Sequence, residues 1–173
     1  MRATLVCLAI LYSITAPGQT ASKGIPPKDD DDPPAIAELG GAISRNFKGA
    51  SSAGPSIAIE FTPIKEWLEI EFGATESYSR EPAELSLDLL FKKPFTISHK
   101  LEFMAGFGPE FNSTRVNGRT IDTWAGEAAL DFMYWPFKKR RFGFYAEPAY
   151  DYTFSTGNEQ SIGISAGLLI SID

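Results

Sequence analysis

Apolar and polar residues alternate with a period of two along most of the chain from residue 35 onward. In the segment 161–172 one face would carry Ile162, Ile164, Ala166, Leu168, Ile170 and Ile172, and the other would carry Gly163, Ser165, Gly167 and Ser171. Successive side chains of a β-strand point to opposite sides, so this pattern predicts strands with one apolar face and one face of small or charged residues. Because no helical period competes over this range, the pattern predicts an all-β fold.

Turn residues divide this part of the chain into eight segments. The predicted strands span residues 35–46, 55–62, 67–78, 84–91, 95–111, 121–135, 142–154 and 161–172. Pro109 and Pro148 fall inside two of these segments, and each predicts a bulge or a strand end because proline lacks the N–H that a strand donates. Eight consecutive strands with this alternation predict one domain over residues 35–173, an eight-stranded antiparallel up-and-down β-barrel.

The N-terminus has the features of a secretory signal. A basic residue, Arg2, precedes an apolar stretch from Ala3 to Ala16, and small residues up to Gly18 follow. We therefore expect residues 1–18 to be a signal peptide that is removed on export, since the apolar stretch is too short to span a membrane as a helix. The only cysteine, Cys7, lies inside this segment, so the exported chain is expected to contain no disulfide.

Residues 19–34 are polar and contain four consecutive aspartates, Asp29 to Asp32, flanked by prolines. This composition predicts a disordered, acidic, Pro-rich periplasmic tether ahead of the barrel.

The formal net charge of the chain is -6. A nucleic-acid partner is not expected, because binding to phosphates requires a basic surface.

The alternation does not by itself say whether the apolar face points outward into lipid or inward. Three features favour an outward-facing apolar side and a transmembrane barrel. Large aromatic residues fall near both ends of the predicted strands, as in the girdles of membrane barrels. The narrow interior of an eight-stranded barrel favours small and extended side chains, and three connections near 63–65, 92–94 and 138–141 are short and basic. The alternative is a soluble, lipocalin-like periplasmic barrel that binds an apolar ligand inside.

Three stretches carry a resemblance to a known family, namely Phe91-Lys92-Lys93-Pro94-Phe95, Gly106-Phe107-Gly108-Pro109-Glu110 and the run from Ala128 to Pro136. With them, residues 38–172 resemble the small bacterial outer-membrane β-barrel domain family of the OmpA and OmpX type. The resemblance implies a Gram-negative outer-membrane location, with outer-membrane lipids and the barrel assembly machinery as partners, and a monomeric barrel. It transfers no catalytic residue.

The polar face of the predicted barrel is strongly acidic. It would place Glu102, Glu127, Asp131, Glu147 and Asp151 in the lumen with Lys100 as the accompanying base, together with Glu38, Glu60, Glu69, Glu71 and Asp88. Folding the strands about their turns sets Asp131 across from Glu147, Glu127 across from Asp151 and Glu60 across from Glu69, and makes Glu102 a neighbour of Asp131. Like charges that face each other are unfavourable. Two hypotheses follow: a lumenal site for a cation or protons, or a plug satisfied by Lys100, Arg45, Tyr145, waters and shared protons.

The expected function is non-enzymatic, with a structural, adhesive or stress-related role in the cell envelope, no cofactor and no open pore. A less favoured alternative is a lipid A-modifying hydrolase, because enzymes of that kind resemble this architecture. Such an enzyme needs a serine within reach of a histidine. The only histidine, His99, is predicted on the apolar face, whereas the adjacent Ser98 points to the opposite face.

Overall fold

A computed structural model describes residues 33–78, 83–116, 118–155 and 157–172. The predicted signal peptide and residues 19–32 of the predicted tether lie outside this range. Eight strands make up the fold: β1 (Ala35–Asn46), β2 (Ser51–Ile64), β3 (Leu68–Ser77), β4 (Glu84–Thr96), β5 (Leu101–Val116), β6 (Arg119–Tyr134), β7 (Phe142–Thr153) and β8 (Gln160–Ile172). In the described part of the chain, no helix is long and apolar enough to cross a membrane.

The strands form a closed antiparallel barrel in which each strand pairs with the next along the chain. The barrel closes where β1 pairs with β8, from Ala35 opposite Ile172 to Asn46 opposite Ser161. Closure pairs every strand on both sides, so the sheet has no free edge. The predicted fold class, an eight-stranded up-and-down barrel, is confirmed.

The apolar face of each strand lies outside and the polar face lies inside. Adjacent residues of β8 show the contrast, since Leu168 is 49% exposed and Leu169 is completely buried. The exposed residues include aromatic side chains near both ends of the strands, among them Phe61, Trp67, Phe95, Phe142, Tyr78, Trp124 and Phe154. The alternative barrel with an apolar interior is therefore not the one that this chain forms.

The two ends of the barrel differ. At the turn end, which carries the connections 65–67, 97–100 and 135–141, the lumen is filled by the buried side chains of Ile36, Met104, Met133, Trp135, Tyr145 and Leu169. Trp135 is completely buried there, and its backbone N–H donates to the carbonyl of Lys100 at 2.8 Å. The loop end, which carries the connections 47–50, 78–83, 117–118 and 154–159, opens into a polar cavity.

The predicted turn at residues 92–94 is wrong. Strand β4 continues to Thr96, and the chain reverses at residues 97–100 instead. Pro94 is tolerated in this strand because the register of β3 and β4 ends with Glu69 opposite Lys92. Pro94 thus lies beyond the end of β3, where its missing N–H costs no hydrogen bond to that neighbour.

The expected bulges at Pro109 and Pro148 are also absent. Pro109 lies between two pairs of the β4–β5 register, Asp88–Glu110 and Phe91–Phe107. The register is the same at both pairs, so no extra residue is inserted between them. The register of β6 with β7 is likewise unchanged across Pro148. A register shift occurs instead between Phe61 and Ile64, around Pro63, where β2 approaches the first tight turn.

Glycines relieve crowding where the barrel wall meets an inward side chain. Gly40 faces Gly167 across the β1–β8 pair. A Cβ on Gly40 would lie 2.3 Å from the Ala166 carbonyl oxygen and 2.6 Å from the Tyr145 hydroxyl. The carbonyl oxygen belongs to the paired sheet and cannot move away cheaply, so this position requires glycine.

We expect Gly40→Val to lower the free energy of unfolding by about 1–3 kcal/mol, the usual cost of overpacking a filled interior. The measurement is urea-induced unfolding of the refolded barrel in detergent, followed by circular dichroism. Gly41→Val is the matched control, because Gly41 faces outward and its nearest atom to an added Cβ is the Gly54 carbonyl oxygen at 3.4 Å. Equal stability of the two variants would contradict the packing of Tyr145 against Gly40.

Candidate functional site

The lumen of the barrel is lined by carboxylates from seven of its eight strands. They are Glu38 on β1, Glu60 on β2, Glu69 and Glu71 on β3, Asp88 on β4, Glu102 and Glu110 on β5, Glu127 and Asp131 on β6, and Glu147 and Asp151 on β7. The five acids predicted as a lumenal cluster all lie on this inner face. Glu110 was missed, although it follows Gly106 and Gly108 on the same face of β5.

Lys92 lies at the centre of the lumen and is 1% exposed. Its Nζ donates to Glu71 Oε2 at 2.5 Å, to Asp131 Oδ2 at 3.3 Å and to Glu147 Oε2. The three carboxylates come from β3, β6 and β7, so the ammonium group on β4 connects the adjacent strand β3 with two strands that do not pair with β4. Charge-assisted hydrogen bonds of this kind are among the strongest in proteins.

The structure corrects the position of the predicted lumenal base. Lys100 is exposed in the turn between β4 and β5, where its backbone N–H donates to the Ser98 hydroxyl at 3.3 Å. Because β4 extends beyond residue 91, Lys92 takes the inward position instead. The same shift places His99 in this exposed turn rather than on the apolar face of β5.

A second cation reaches the lumen at the turn end. Arg140, in the β6–β7 connection, donates to Glu102 Oε2 at 3.1 Å and lies with its guanidinium carbon 5.9 Å from the centre of the Trp135 ring. Glu102 is thus held beside the apolar plug. In the pairing of β5 with β6, Glu102 lies opposite Met133 and Met104 lies opposite Asp131. Glu102 and Asp131 are therefore diagonal neighbours on the inner face of the barrel.

The predicted cross-strand pairs are partly reproduced. Glu127 faces Asp151, as predicted. The register of β6 with β7 is the same at Ala129–Ala149 and at Phe132–Ala146. Asp131, which lies between these pairs, is therefore opposite Glu147. Glu60 faces Glu71 rather than Glu69, because β2 runs to Ile64 and its turn lies later than predicted.

The loop end of the lumen holds a cavity of about 410 Å³. Hydroxyl and carboxylate groups dominate its wall, including Ser86, Glu110, Asn112, Glu127, Asp151 and Ser161. Ser161 donates to Asp151 Oδ2 at 2.9 Å, and Ser86 donates to Asn112 Oδ1 at 2.6 Å. Glu38, Glu71 and Glu147 also line the cavity, so it extends inward as far as the carboxylates around Lys92.

Several buried carboxylate oxygens in the lumen accept no hydrogen bond. They are Glu38 Oε1, both oxygens of Glu60, Asp131 Oδ1 and Glu110 Oε2. Such oxygens are costly to bury without a positive partner. The arrangement is chemically suited to holding cations, since oxygen ligands of this type bind hard metal ions.

Lys92 and Arg140 were not predicted as lumenal cations, because both fall in short basic segments that the sequence indicates as turns. A usable signal for Lys92 exists in the alternation of β4, where Ser86, Asp88, Leu90 and Lys92 share a face. No comparable signal marks Arg140, because it lies in a connection and not in a strand.

Replacing the central cation should strongly destabilise the barrel. We expect Lys92→Met to reduce the free energy of unfolding by about 3–5 kcal/mol, because it leaves Glu71, Asp131 and Glu147 buried without a counterion. The measurement is the urea midpoint of unfolding in detergent.

Lys93→Met serves as the matched control. Lys93 is the next residue on the same strand, and its Nζ donates to the exposed Glu66 carbonyl and lies 5.9 Å from the centre of the Trp67 ring. We expect this change to cost less than about 1 kcal/mol, as for exposed ionic contacts. A Lys92→Met barrel as stable as Lys93→Met would show that Lys92 does not hold the lumen together.

The fold is shared with several solved barrels. The chain is similar to Neisserial surface protein A (16% identity, TM-score 0.62, covering 80% of this chain and 96% of that one). It is also similar to Ail, the attachment invasion locus protein of Yersinia pestis (12% identity, TM-score 0.55, covering 80% and 97%), and to the outer membrane enzyme PagL (14% identity, TM-score 0.51, covering 78% and 99%). No family model and no curated protein sequence matches the chain.

These neighbours include a surface protein, an attachment protein and an enzyme, so the likeness does not select one activity. It shows that the chain has the fold of the small eight-stranded outer-membrane barrels, as the resemblance in the sequence had implied.

Proposed function

We propose that the chain is a non-enzymatic, non-conducting barrel of a Gram-negative outer membrane, with a structural role in the cell envelope. The observation that carries this proposal is the inverted arrangement of the molecule, with apolar side chains outside and charged side chains in a closed lumen. Export through the signal peptide at residues 1–18 is part of the proposal.

The outer surface supports insertion in lipid. Side chains on every strand that would be buried in a water-soluble protein are exposed, including Leu39 (46%), Phe72 (53%), Phe107 (71%) and Phe144 (53%). Soluble monomers rarely expose apolar surface so continuously. The strands are 10 to 16 residues long, whereas a tilted strand needs about 9–11 residues to cross the hydrocarbon layer.

The lumen supports a closed barrel rather than a pore. The apolar plug around Trp135 fills the turn end, and the ion pairs of Lys92 cross the middle of the lumen. An eight-stranded barrel is only wide enough for its own inward side chains. The cavity at the loop end is thus a pocket above a filled lumen.

The surroundings of His99 argue against the hydrolase alternative. His99 lies exposed in the turn between β4 and β5. The Ser98 hydroxyl beside it accepts the backbone N–H groups of Lys100 and Leu101, at 3.3 and 3.1 Å, and thereby shapes the turn. A nucleophilic serine must instead lie within hydrogen-bond reach of its histidine and face the substrate.

The connections at the loop end support a structural role over an adhesive one. The link between β5 and β6 comprises residues 117–118, and that between β1 and β2 comprises residues 47–50. The Lys48 ammonium group also forms an ion pair with Glu159, which joins two of these connections. Connections as short as these two offer little surface to a protein partner, because specific interfaces bury about 800 Å² per partner.

Insertion is tested with single cysteines at adjacent positions of β8 in the exported chain, which lacks Cys7 once residues 1–18 are removed. Leu168→Cys should react with a lipid-soluble maleimide in membranes, since residue 168 is 49% exposed on the apolar face, whereas Leu169→Cys should not, because residue 169 is completely buried. Equal labelling of both positions, or folding without detergent or lipid, would overturn the proposed location.

The closed lumen is tested by electrical recording in planar bilayers. We expect no steady conductance from the reconstituted barrel, because the plug around Trp135 and the Lys92 ion pairs leave no continuous water path. The positive control for conductance is a larger porin reconstituted in the same way. Reproducible single-channel steps at neutral pH would contradict a non-conducting role.

A further inference from the structure

We propose that the lumen contains a calcium-binding site formed by Glu38, Glu60, Glu71 and Asp131. This inference concerns the interior of the barrel and goes beyond the proposed envelope role. It stands on geometry, on unsatisfied oxygens and on a route of entry.

The geometry brings four carboxylates from four strands to one point. One oxygen from each of Glu38, Glu60, Glu71 and Asp131 lies within 4.8 Å of the corresponding oxygens of the other three. Calcium binds oxygen at about 2.4 Å, so two ligands on opposite sides of the ion are separated by roughly 4.8 Å. Four oxygens this close together can belong to one calcium coordination sphere, and calcium accepts irregular oxygen geometry more readily than magnesium does.

The second observation is that this cluster is buried and lacks positive partners on one side. Glu60 is 1% exposed, and neither oxygen of its carboxylate accepts a hydrogen bond. Glu38 Oε1 and Asp131 Oδ1 are also buried and accept no hydrogen bond. Lys92 pairs with Glu71 Oε2 and Asp131 Oδ2, which leaves the oxygens named above without a positive partner.

The balance of charge also leaves room for a divalent ion. Six carboxylates meet around Lys92, namely Glu38, Glu60, Glu69, Glu71, Asp131 and Glu147, and each is at most 7% exposed. A single ammonium group neutralises one of them. Buried charges persist only when they are paired or bound to metal, or when they become neutral by taking up a proton.

A route for entry exists from the loop end. Glu38 and Glu71 line the cavity of about 410 Å³ and connect its inner end to the cluster. The wall of the cavity carries further acids, Glu110, Glu127 and Asp151, which attract cations toward the interior. Calcium from outside the barrel therefore has a polar, acidic path to the site.

The competing way to neutralise the cluster is a proton shared between the carboxyl groups of Glu60 and Glu69, which lie within hydrogen-bond reach of each other. A second group of acids, Glu110, Glu127 and Asp151, also has oxygens within 4.8 Å of one another. The experiment must therefore distinguish a calcium ion at the proposed site from a shared proton and from an ion bound by this second group of acids.

The test refolds the full barrel in detergent with calcium chloride or with a chelator. We expect equilibrium dialysis to give one bound calcium per chain, and the midpoint of thermal unfolding to rise by several degrees in calcium. A ligand that binds only the folded state stabilises it in proportion to the logarithm of its concentration over its dissociation constant. Magnesium at the same concentration should produce a smaller shift.

Three variants locate the ion. Glu60→Gln should lose both the bound calcium and the shift, and Glu38→Gln provides the same test if the first variant fails to fold. Glu102→Gln is the matched control, because Glu102 is a buried lumenal carboxylate held by Arg140 outside the cluster, and it should retain both. Glu110→Gln should also retain them.

Two results would overturn the proposal. Wild-type barrel that binds no calcium at millimolar concentration would show that protons neutralise the cluster. Loss of binding in Glu110→Gln with retention in Glu60→Gln would place the ion in the outer group of acids instead. Because neither result depends on the membrane or on conductance, failure here leaves the proposed envelope role untouched.

Discussion

The ion pairs of Lys92 are the interaction on which the interior of this barrel depends. A closed eight-stranded sheet has a narrow lumen, and here that lumen is lined with carboxylates. Buried carboxylates repel one another unless a cation lies between them. Lys92 supplies that cation and forms ion pairs with carboxylates of β3, β6 and β7. The wall is held by backbone hydrogen bonds, whereas the middle of the lumen is held by this one side chain.

The lumen is organised in layers along its axis. At the turn end, the apolar plug around Trp135 excludes water, and Arg140 neutralises Glu102 beside it. The Lys92 network occupies the middle, and a polar cavity opens at the loop end. One chain thus combines an apolar plug at the turn end with a polar, acidic cavity at the loop end. The pocket leads to the carboxylates that lack hydrogen bonds, which is where we place a bound ion.

Much of the barrel was predictable because strand alternation is a local property. All eight predicted segments correspond to strands, and the direction of residues such as Asp131 and Glu147 follows from counting in twos. The errors arose at the ends of strands. Proline and adjacent lysines at 92–94 looked like a turn, and the actual turn at 97–100 contains no proline. Pro94 is accommodated inside β4 because β3 has already ended beside it, and that condition is invisible in the local sequence.

The sequence by itself determined the all-β class, the number of strands and the two faces of each strand, because the side-chain period of a strand is a property of the backbone. Only the tertiary structure decided which base enters the lumen, where each turn lies and which carboxylates meet. These depend on register across several strands, and a shift of one residue reverses every side chain beyond it. The extent of each strand also matters: β4 continues past residue 91, which places Lys92 in the lumen and leaves Lys100 in the exposed turn.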